Sequence, residues 1–414
     1  MKLLLVGNHT CGNRGDAAIL RGLIAELRKQ EPTIELDIIS RFPVSSSFLL
    51  GEKVTMDQLH AYHGSANGFV DRLWKRVSQR FQSYQLVNKL SKPVSALPEH
   101  IQQQVAQLQQ YDAVIQVGGS FFVDLYGPAQ FEHAICALFA KKPLFMLGHS
   151  VGPFESERYK KLASKVFSKV NTLALRESVS LQLMEEANID TSKASEGADT
   201  AWVVPNKAVA IPEALSQLVA SKPTIAMTMR KLAPFDKRLG VTQEEYEIKL
   251  AQLIDSLNDK GYQVLITSTC TGIDSYQRDD RMVALTVKEK VKNQELCHVV
   301  MDELNDVELG SLLSLCELTI GTRLHSAIIS MNFSTPAIAL NYEHKSKGIM
   351  QQLDLPEMSM DVSSLFDGTL QSAVFNNLNN LATLKENMTV KVTQERGRVT
   401  KMVENTLRQI KEQA

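Results

Sequence analysis

Short apolar runs alternate with helix-period stretches along nearly all of this 414-residue sequence. Leu3–Val6, Ile34–Ser40, Ala113–Val117, Leu144–Leu147 and Thr172–Leu175 read as buried strands. Helical patterns such as Gly15–Lys29 and Arg158–Val170 lie between most of them. A second series runs through Thr224–Met229, Gln263–Thr267, His298–Met301, Leu318–Ile320 and Ala337–Leu340, separated by helical patterns at Gln243–Asp259 and Glu303–Leu315. Continuous apolar strands joined by helices predict parallel sheets covered by helices on both faces, and exclude sandwiches and helical bundles.

Between the two series, Val203–Pro223 holds Pro205, Pro212 and Pro223. Each proline lacks a backbone donor and restricts its predecessor, so the expected boundary falls near residue 210. This gives an N-terminal domain of 1–210 and a C-terminal domain of 211–414, both Rossmann-like. From about Leu370 the chain lacks strand signals and reads as two helices. Two such domains facing a cleft and closed by C-terminal helices form a GT-B-like α/β fold. Many chemistries occupy that architecture, so function has to come from particular residues.

Charge and cysteine usage narrow the classes. Lysine and arginine total 45 against 46 acidic residues, which excludes a nucleic-acid binder relying on overall positive charge. No run approaches the roughly 18 apolar residues that span a membrane. The apolar start at Leu3–Val6 is shorter than the about 7–15 residues of a signal-peptide core, so the cytoplasm is the expected compartment. The five cysteines (Cys11, Cys136, Cys270, Cys297, Cys316) are widely spaced without a CxxC pair, so neither a disulfide framework nor a zinc site is encoded. No metal site is expected.

Several loops follow the expected strands, where ligands of open α/β sheets bind. The first, Gly7–Asp16, carries Gly12, Asn13, Gly15 and Asp16. Its glycines allow close backbone approach, and a helix N-terminus follows. Asp16 reads either as that helix's N-cap or as a site residue. Gly118, Gly119 and Ser120 follow another strand, and His149, between Gly148 and Gly152, follows a third. His149 reads as structural or functional with equal weight. Arg176 is expected at the cleft edge.

The sharpest local pattern is Gly321-Thr322-Arg323-Leu324-His325, where a strand ends and a helix begins. In an extended turn Arg323 and His325 face one way while Leu324 packs inward. Arginine binds carboxylate or phosphate through a planar fork, and histidine can deliver a proton near neutral pH. An anion site is the favoured reading over a surface arginine beside a capped helix. Arg230 and Lys345 are candidates for further positive charge from the same domain.

One segment differs in kind. Within Gly68–Lys92, Val70, Leu73, Trp74, Val77, Phe81 and Tyr84 share a helical face. Arg72, Lys75, Arg76, Arg80, Lys89 and Lys92 accompany a single acid, Asp71. This is the pattern of an interfacial helix touching anionic lipid, and equally of a core helix with a solvated basic face.

Taken in order, Gly12–Asp16, Gly118-Gly119, Arg176-Glu177 and Gly321–His325 resemble the polysaccharide pyruvyl transferases, over nearly the whole chain. Val117–Tyr126, Leu232–Leu239, Ser268–Ser275 and Asn341–Lys345 are similar too. The resemblance implies a GT-B-like fold and phosphoenolpyruvate as co-substrate, with no cofactor or metal. It implies a cyclic pyruvate ketal on a sugar of an exopolysaccharide of the colanic-acid type, on a lipid-linked acceptor at the inner face of the cytoplasmic membrane. By the same resemblance Arg323 binds the donor and His325 is the general acid, both on the C-terminal, phosphoenolpyruvate side; Asp16, across the cleft on the N-terminal, acceptor side, is expected to orient or deprotonate the acceptor hydroxyl. Two rival readings remain: a GT-B glycosyltransferase using a nucleotide sugar, and a membrane-associated protein that binds glycan without turnover.

Overall fold

The computed structural model describes residues 1–65, 68–233, 236–341, 344–355 and 358–413, apart from the side chains of 69–77, 237–238, 275 and 344–346. Contacts divide the chain into two compact units. One comprises Met1–Thr10, Ile19–Thr200 and Gly397–Ala414; the other comprises Cys11–Ala18 and Ala201–Arg396. Two segments therefore group differently from a single cut near residue 210: the glycine-rich loop goes with the second unit, and the end of the last helix with the first.

The first unit is built on a seven-stranded parallel sheet: β1 Lys2–Asn8, β2 Glu35–Ser40, β3 Val54–Met56, β4 Ala113–Phe122, β5 Leu144–Val151, β6 Thr172–Leu175 and β7 Ala194–Glu196. Their spatial order is β3-β2-β1-β4-β5-β6-β7. All eight residues of β5 are buried, which is why its sequence reads as a continuous apolar run rather than an alternating one.

The second unit repeats the plan with six parallel strands: β8 Thr224–Thr228, β9 Gln263–Thr267, β10 Cys297–Val299, β11 Leu318–Gly321, β12 Ala337–Asn341 and β13 Ser359–Asp361. Their order is β10-β9-β8-β11-β12-β13. In each sheet the strand order reverses direction once, between β1 and β4 and between β8 and β11. Ligands of doubly wound sheets bind outside the carboxyl ends of strands at such a reversal.

Helices cover these sheets and are set by local chemistry. Thr242 and Glu245 form a reciprocal capping box at the start of Gln243–Asn258, and Asn305 and Glu308 do the same for Asp306–Leu313. Two helices, Thr369–Asn379 and Leu381–Gln413, end the chain as expected. All five cysteines are free and buried. Among the described residues no helix is long and apolar enough to cross a membrane.

The basic segment forms the helix Phe69–Val87. Tyr84, Leu86 and Val87 pack into the first unit's core, and Arg158 lies over the Tyr84 ring at 4.1 Å and the Phe81 ring at 4.8 Å. Its C-terminal part is thus a core helix. The side chains of Val70, Arg72, Leu73, Trp74, Lys75, Arg76 and Val77 lie outside the described residues.

Candidate active site

In the second unit the turn after β11 is held from below by hydroxyls. Thr228 Oγ1 and Ser326 Oγ are 2.7 Å apart, and Ser326 Oγ donates to the Arg323 carbonyl at 2.6 Å. Tyr246 and Thr322 hydroxyls lie 2.7 Å apart in a buried contact. Gly321 and Thr322 are buried, whereas Arg323, Leu324 and His325 are each partly exposed. Leu324 was expected to pack inward. It opens the helix Leu324–Asn332 instead, and a first-turn position at the surface leaves it half-buried.

Arg323 is the extended residue just before that helix. Its Nε and Nη2 donate to the two carboxylate oxygens of Asp280 at 3.0 and 2.7 Å, a bidentate fork that fixes the guanidinium plane. Asp280 opens the helix Asp280–Lys290 and also accepts from the Cys270 amide. Arg230, buried beyond the end of β8, donates from Nε to the Lys231 carbonyl at 3.1 Å. Arg230 and Arg323 therefore follow the two strands that flank the second sheet's reversal.

His325 lies against the glycine-rich loop. A Cβ on Gly15 would stand 2.6 Å from His325 Cγ and Nδ1 and 2.8 Å from its Cβ, so only glycine lets the backbone come this close. The loop is clasped from within by Arg14, which is fully buried. Its side chain donates to the Cys11 carbonyl at 2.9 Å, to Thr271 Oγ1 at 3.1 Å, to the Leu304 carbonyl and to Glu303. Backbone links add to this: Arg14 N donates to Thr269 O at 2.7 Å, and Asn13 bridges Cys270.

Asn13, whose side chain accepts from the Gly15 amide, precedes the helix Arg14–Gln30; Asp16 is not the cap but sits in the first turn, half-buried. Burial pushes the Cys270 thiol up to about 12, with Arg323 opposing and the Asp280 and Asp16 charges adding to the rise. Burial also raises the Tyr276 phenol, helped by Cys270 and by Asp16 and opposed by Arg323. Asp16, Arg323, Asp280, Cys270 and Tyr276 thus share one electrostatic neighbourhood. At neutral pH both thiol and phenol remain protonated.

The first unit treats its candidates differently. His149 is fully buried, with Nε2 3.1 Å from the Gln116 carbonyl, and burial lowers its pKa to about 4. Arg176, expected at a cleft edge, has only 2% of its side chain exposed. It follows β6 and donates to Asp199 at 2.6 Å, Ser150 Oγ at 2.8 Å and Ser120 Oγ at 2.6 Å, tying the last residues of β4 and β5 to the segment after β7. A Cβ on Gly118 would meet the Gly148 carbonyl oxygen at 2.5 Å, so this glycine serves close packing of adjacent strands. Gly119, with φ +147, continues β4. These residues hold the unit's interior. Lys345 lies in the helix His344–Gln352, but its side chain is outside the described residues.

The sequence divides the residues of this site between two domains, Gly12, Asn13, Gly15 and Asp16 in the first and Arg230, Thr322, Arg323 and His325 in the second. The structure corrects this, since Cys11–Ala18 packs with the second unit and all of them fall in one body, together with Arg14, Asp280, Tyr276 and Glu303, which sequence reasoning missed. Arg14 stands inside the motif already singled out. Asp280, an acid at a helix start, gave only a capping signal. The arrangement offers an oriented guanidinium, an imidazole fixed by a backbone contact and a carboxylate, which suits anion binding combined with proton delivery.

The family model described as polysaccharide pyruvyl transferase matches residues 13–344, from the Asn13 loop past the His325 turn. Among curated proteins, the amylovoran biosynthesis protein AmsJ of Erwinia amylovora is 54% identical over 415 residues, covering 99% of this chain and 100% of that protein. Solved structures share the fold at low identity. Anabaena Alr3699/HepE in complex with UDP-glucose gives a TM-score of 0.62 at 13% identity over 99% of each chain. The UDP-GlcNAc 2-epimerase of Neisseria meningitidis gives 0.59 at 13% identity, over 99% of this chain and 100% of that one. Two parallel Rossmann-like sheets and these neighbours make the fold GT-B-like, and the sequence matches establish that the chain belongs to the polysaccharide pyruvyl transferase family.

Proposed function

We propose that the protein transfers pyruvate from phosphoenolpyruvate to a sugar of an exopolysaccharide repeat unit, forming a cyclic ketal and releasing phosphate. The observation that carries this reading is the pairing of Arg323, oriented by Asp280, with His325 pressed on Gly15 at the start of one helix. Family membership supports pyruvyl transfer, and the AmsJ relative supports a polysaccharide pathway.

The chemistry assigns each group a task. His325 protonates C3 of the donor, which leaves cationic character at C2. A sugar hydroxyl adds at C2, helped by Asp16, and loses its proton. The C2–O bond to phosphate then breaks, a second hydroxyl of the same sugar adds at C2 to close the ketal, and its proton leaves with the phosphate. Arg323 and Arg230 hold the carboxylate and phosphate, and the N-terminal amides of Leu324–Asn332 add to that anion affinity. A colanic-acid-like repeat unit carried on a lipid is the acceptor in this reading. Reversible contact of the basic helix Phe69–Val87 with anionic lipid brings the enzyme to it.

The test is phosphate release from phosphoenolpyruvate with galactose- and glucose-terminated acceptors, and ketal detection on the product. Turnover with UDP-glucose instead of phosphoenolpyruvate would replace this reading with glycosyl transfer. The scheme needs no metal ion, so EDTA should leave the rate unchanged.

A further inference from the structure

One carboxylate of the second unit reaches toward both arms of the site. Glu303 lies between β10 and the helix Asp306–Leu313, with 27% of its side chain exposed, and the proposed chemistry gives it no task. Its Oε1 accepts from Arg14 Nη2 and from the Thr271 hydroxyl. Its Oε2 faces Arg281 Nη1 at 3.4 Å. Each guanidinium stands one residue from a group of the site. Arg14 precedes Gly15, on which His325 presses, and Arg281 follows Asp280, which orients Arg323.

The two arms are held differently. Arg281 is fixed on its own helix start. Its Nε and Nη2 donate to Asp279 at 2.9 and 2.7 Å, and its Nη1 donates to the Met301 carbonyl at 3.0 Å. Asp279 in turn caps the helix Asp280–Lys290 by accepting from the Arg281 amide at 3.0 Å. Arg14 belongs to a segment with less support of its own: Cys11–Ala18 joins the second unit, although the chain on either side of it belongs to the first. The Arg14 side chain is fully enclosed, and its other acceptors, the Cys11 and Leu304 carbonyls and the Thr271 hydroxyl, are neutral. Glu303 supplies the counter-charge.

Removing one partner of an enclosed ion pair leaves the other charge uncompensated, and the group left behind is driven toward water. With a neutral side chain at 303, Arg14 would be drawn outward and would carry Gly15 and Asp16 with it. An aspartate there keeps the charge but is one methylene shorter, so it cannot span from Arg14 to Arg281. Both charge and reach are therefore needed to hold Asp16 and the imidazole of His325 against the guanidinium of Arg323. A misplacement of about 1 Å between such groups costs about 10²-fold in rate.

We infer that Glu303 is a positioning residue: by bridging Arg14 to Arg281 it holds the glycine-rich loop, with Asp16 and the Gly15 contact on His325, in register with the Asp280–Arg323 fork. The inference rests on the proposed function for the tasks of those groups. Glu303 acts through Arg14 and touches neither donor nor acceptor. Its loss should lower the rate and spare donor affinity, because the fork and Arg230 stay in place.

The test uses the full-length protein with Glu303→Gln, which keeps shape and loses charge, and Glu303→Asp, which keeps charge and loses reach. Each should lower kcat for phosphate release by about tenfold or more, while the phosphoenolpyruvate dissociation constant stays within about threefold of the parent. Glu303→Gln combined with Gly15→Ala should cost less than the product of the two separate losses, because both act on the same loop. In the free protein the His325 ring resonances should shift in both variants by NMR, while those of His149 in the first unit stay in place. Far-UV circular dichroism checks folding, and if the neutral variant does not fold, Glu303→Asp decides by the same measurements. Parental kcat with unmoved His325 signals in the folded variants, or losses that multiply fully with Gly15→Ala, would overturn the positioning role and leave the transfer reading standing. A parent that releases no phosphate from phosphoenolpyruvate would overturn the transfer reading, and shifted His325 signals would then still support the link through Glu303.

Discussion

Gly15→Ala isolates the contact on which the proposed acid depends. The added methyl would lie 2.6 Å from His325 Cγ and Nδ1 and 2.8 Å from Cβ, where carbon contacts normally begin at about 3.5 Å. Rotating the imidazole does not relieve this, because Cβ stays put when the ring turns. The start of the helix Leu324–Asn332 must therefore retreat by about 1 Å, and displacement on that scale costs about 10²-fold in rate when it separates reacting groups. Stability should change far less. Overpacking costs about 1–3 kcal/mol, while alanine regains about 1 kcal/mol over glycine within the helix Arg14–Gln30. The expected variant folds with a net loss of about 2 kcal/mol or less and has about one hundredth of the parental turnover. Phosphate release from phosphoenolpyruvate reads the first quantity and urea unfolding the second. Gly397→Ala is the control, since a Cβ there meets nothing within 4 Å, and it should be active and slightly more stable. Gly15→Ala with turnover within threefold of the parent would show that the loop does not position His325 for chemistry.

Further expectations follow from the same geometry. His325→Ala should lower turnover by about 10²–10⁴ while leaving donor binding measurable by calorimetry, and near-parental turnover would remove it as the acid. Arg323→Lys should weaken phosphoenolpyruvate binding, because an ammonium cannot keep the two-point fork to Asp280 that sets the plane of the charge; an unchanged donor dissociation constant would count against it. Arg176→Met should destabilise the first unit by about 3–5 kcal/mol, since Asp199, 1% exposed, would lose its ion-pair partner, and an unchanged urea midpoint would contradict that role. Below pH 6.5 the unfolded chain takes up a proton at His149 that the folded protein does not accept until about pH 4, so stability is complete above 6.5 and falls between 6.5 and 4 by about 3 kcal/mol from this group. Equal pH slopes for the parent and His149→Asn in urea titrations would refute this assignment.

The sheets were largely legible because a strand buried on both faces must be apolar throughout. The strands that escaped were β3, β7 and β13, each three residues long and each at a sheet edge. An edge strand has one neighbour and needs no continuous apolar run; β3 buries only Val54, and none of the three residues of β7 or of β13 is buried. The Arg323–His325 turn was legible because charged residues immediately after a buried strand are costly without a purpose. His149 and Arg176 gave the same signal for a different reason: their charges and dipoles are consumed by Gln116, Asp199, Ser120 and Ser150. Sequence spacing cannot separate an arginine at a partly exposed strand end, such as Arg323, from one enclosed among partners 23 or 56 positions away, such as Arg176.

The helix Leu381–Gln413 has a consequence for biogenesis. From Gly397 onward it belongs to the unit that begins at Met1, and it buries Val399, Met402, Val403, Leu407 and Ile410 there. Gln30 donates to the Thr400 carbonyl, and Lys411 pairs with Glu31 at 2.7 Å. On the ribosome, the first half of the chain emerges hundreds of residues before these partners exist. The nascent first unit must then wait with an apolar face uncovered, exposed to chaperones and proteases, while the second unit has all its residues by position 396. Folding during synthesis would run against the order of the sequence, with the unit that starts first finishing last.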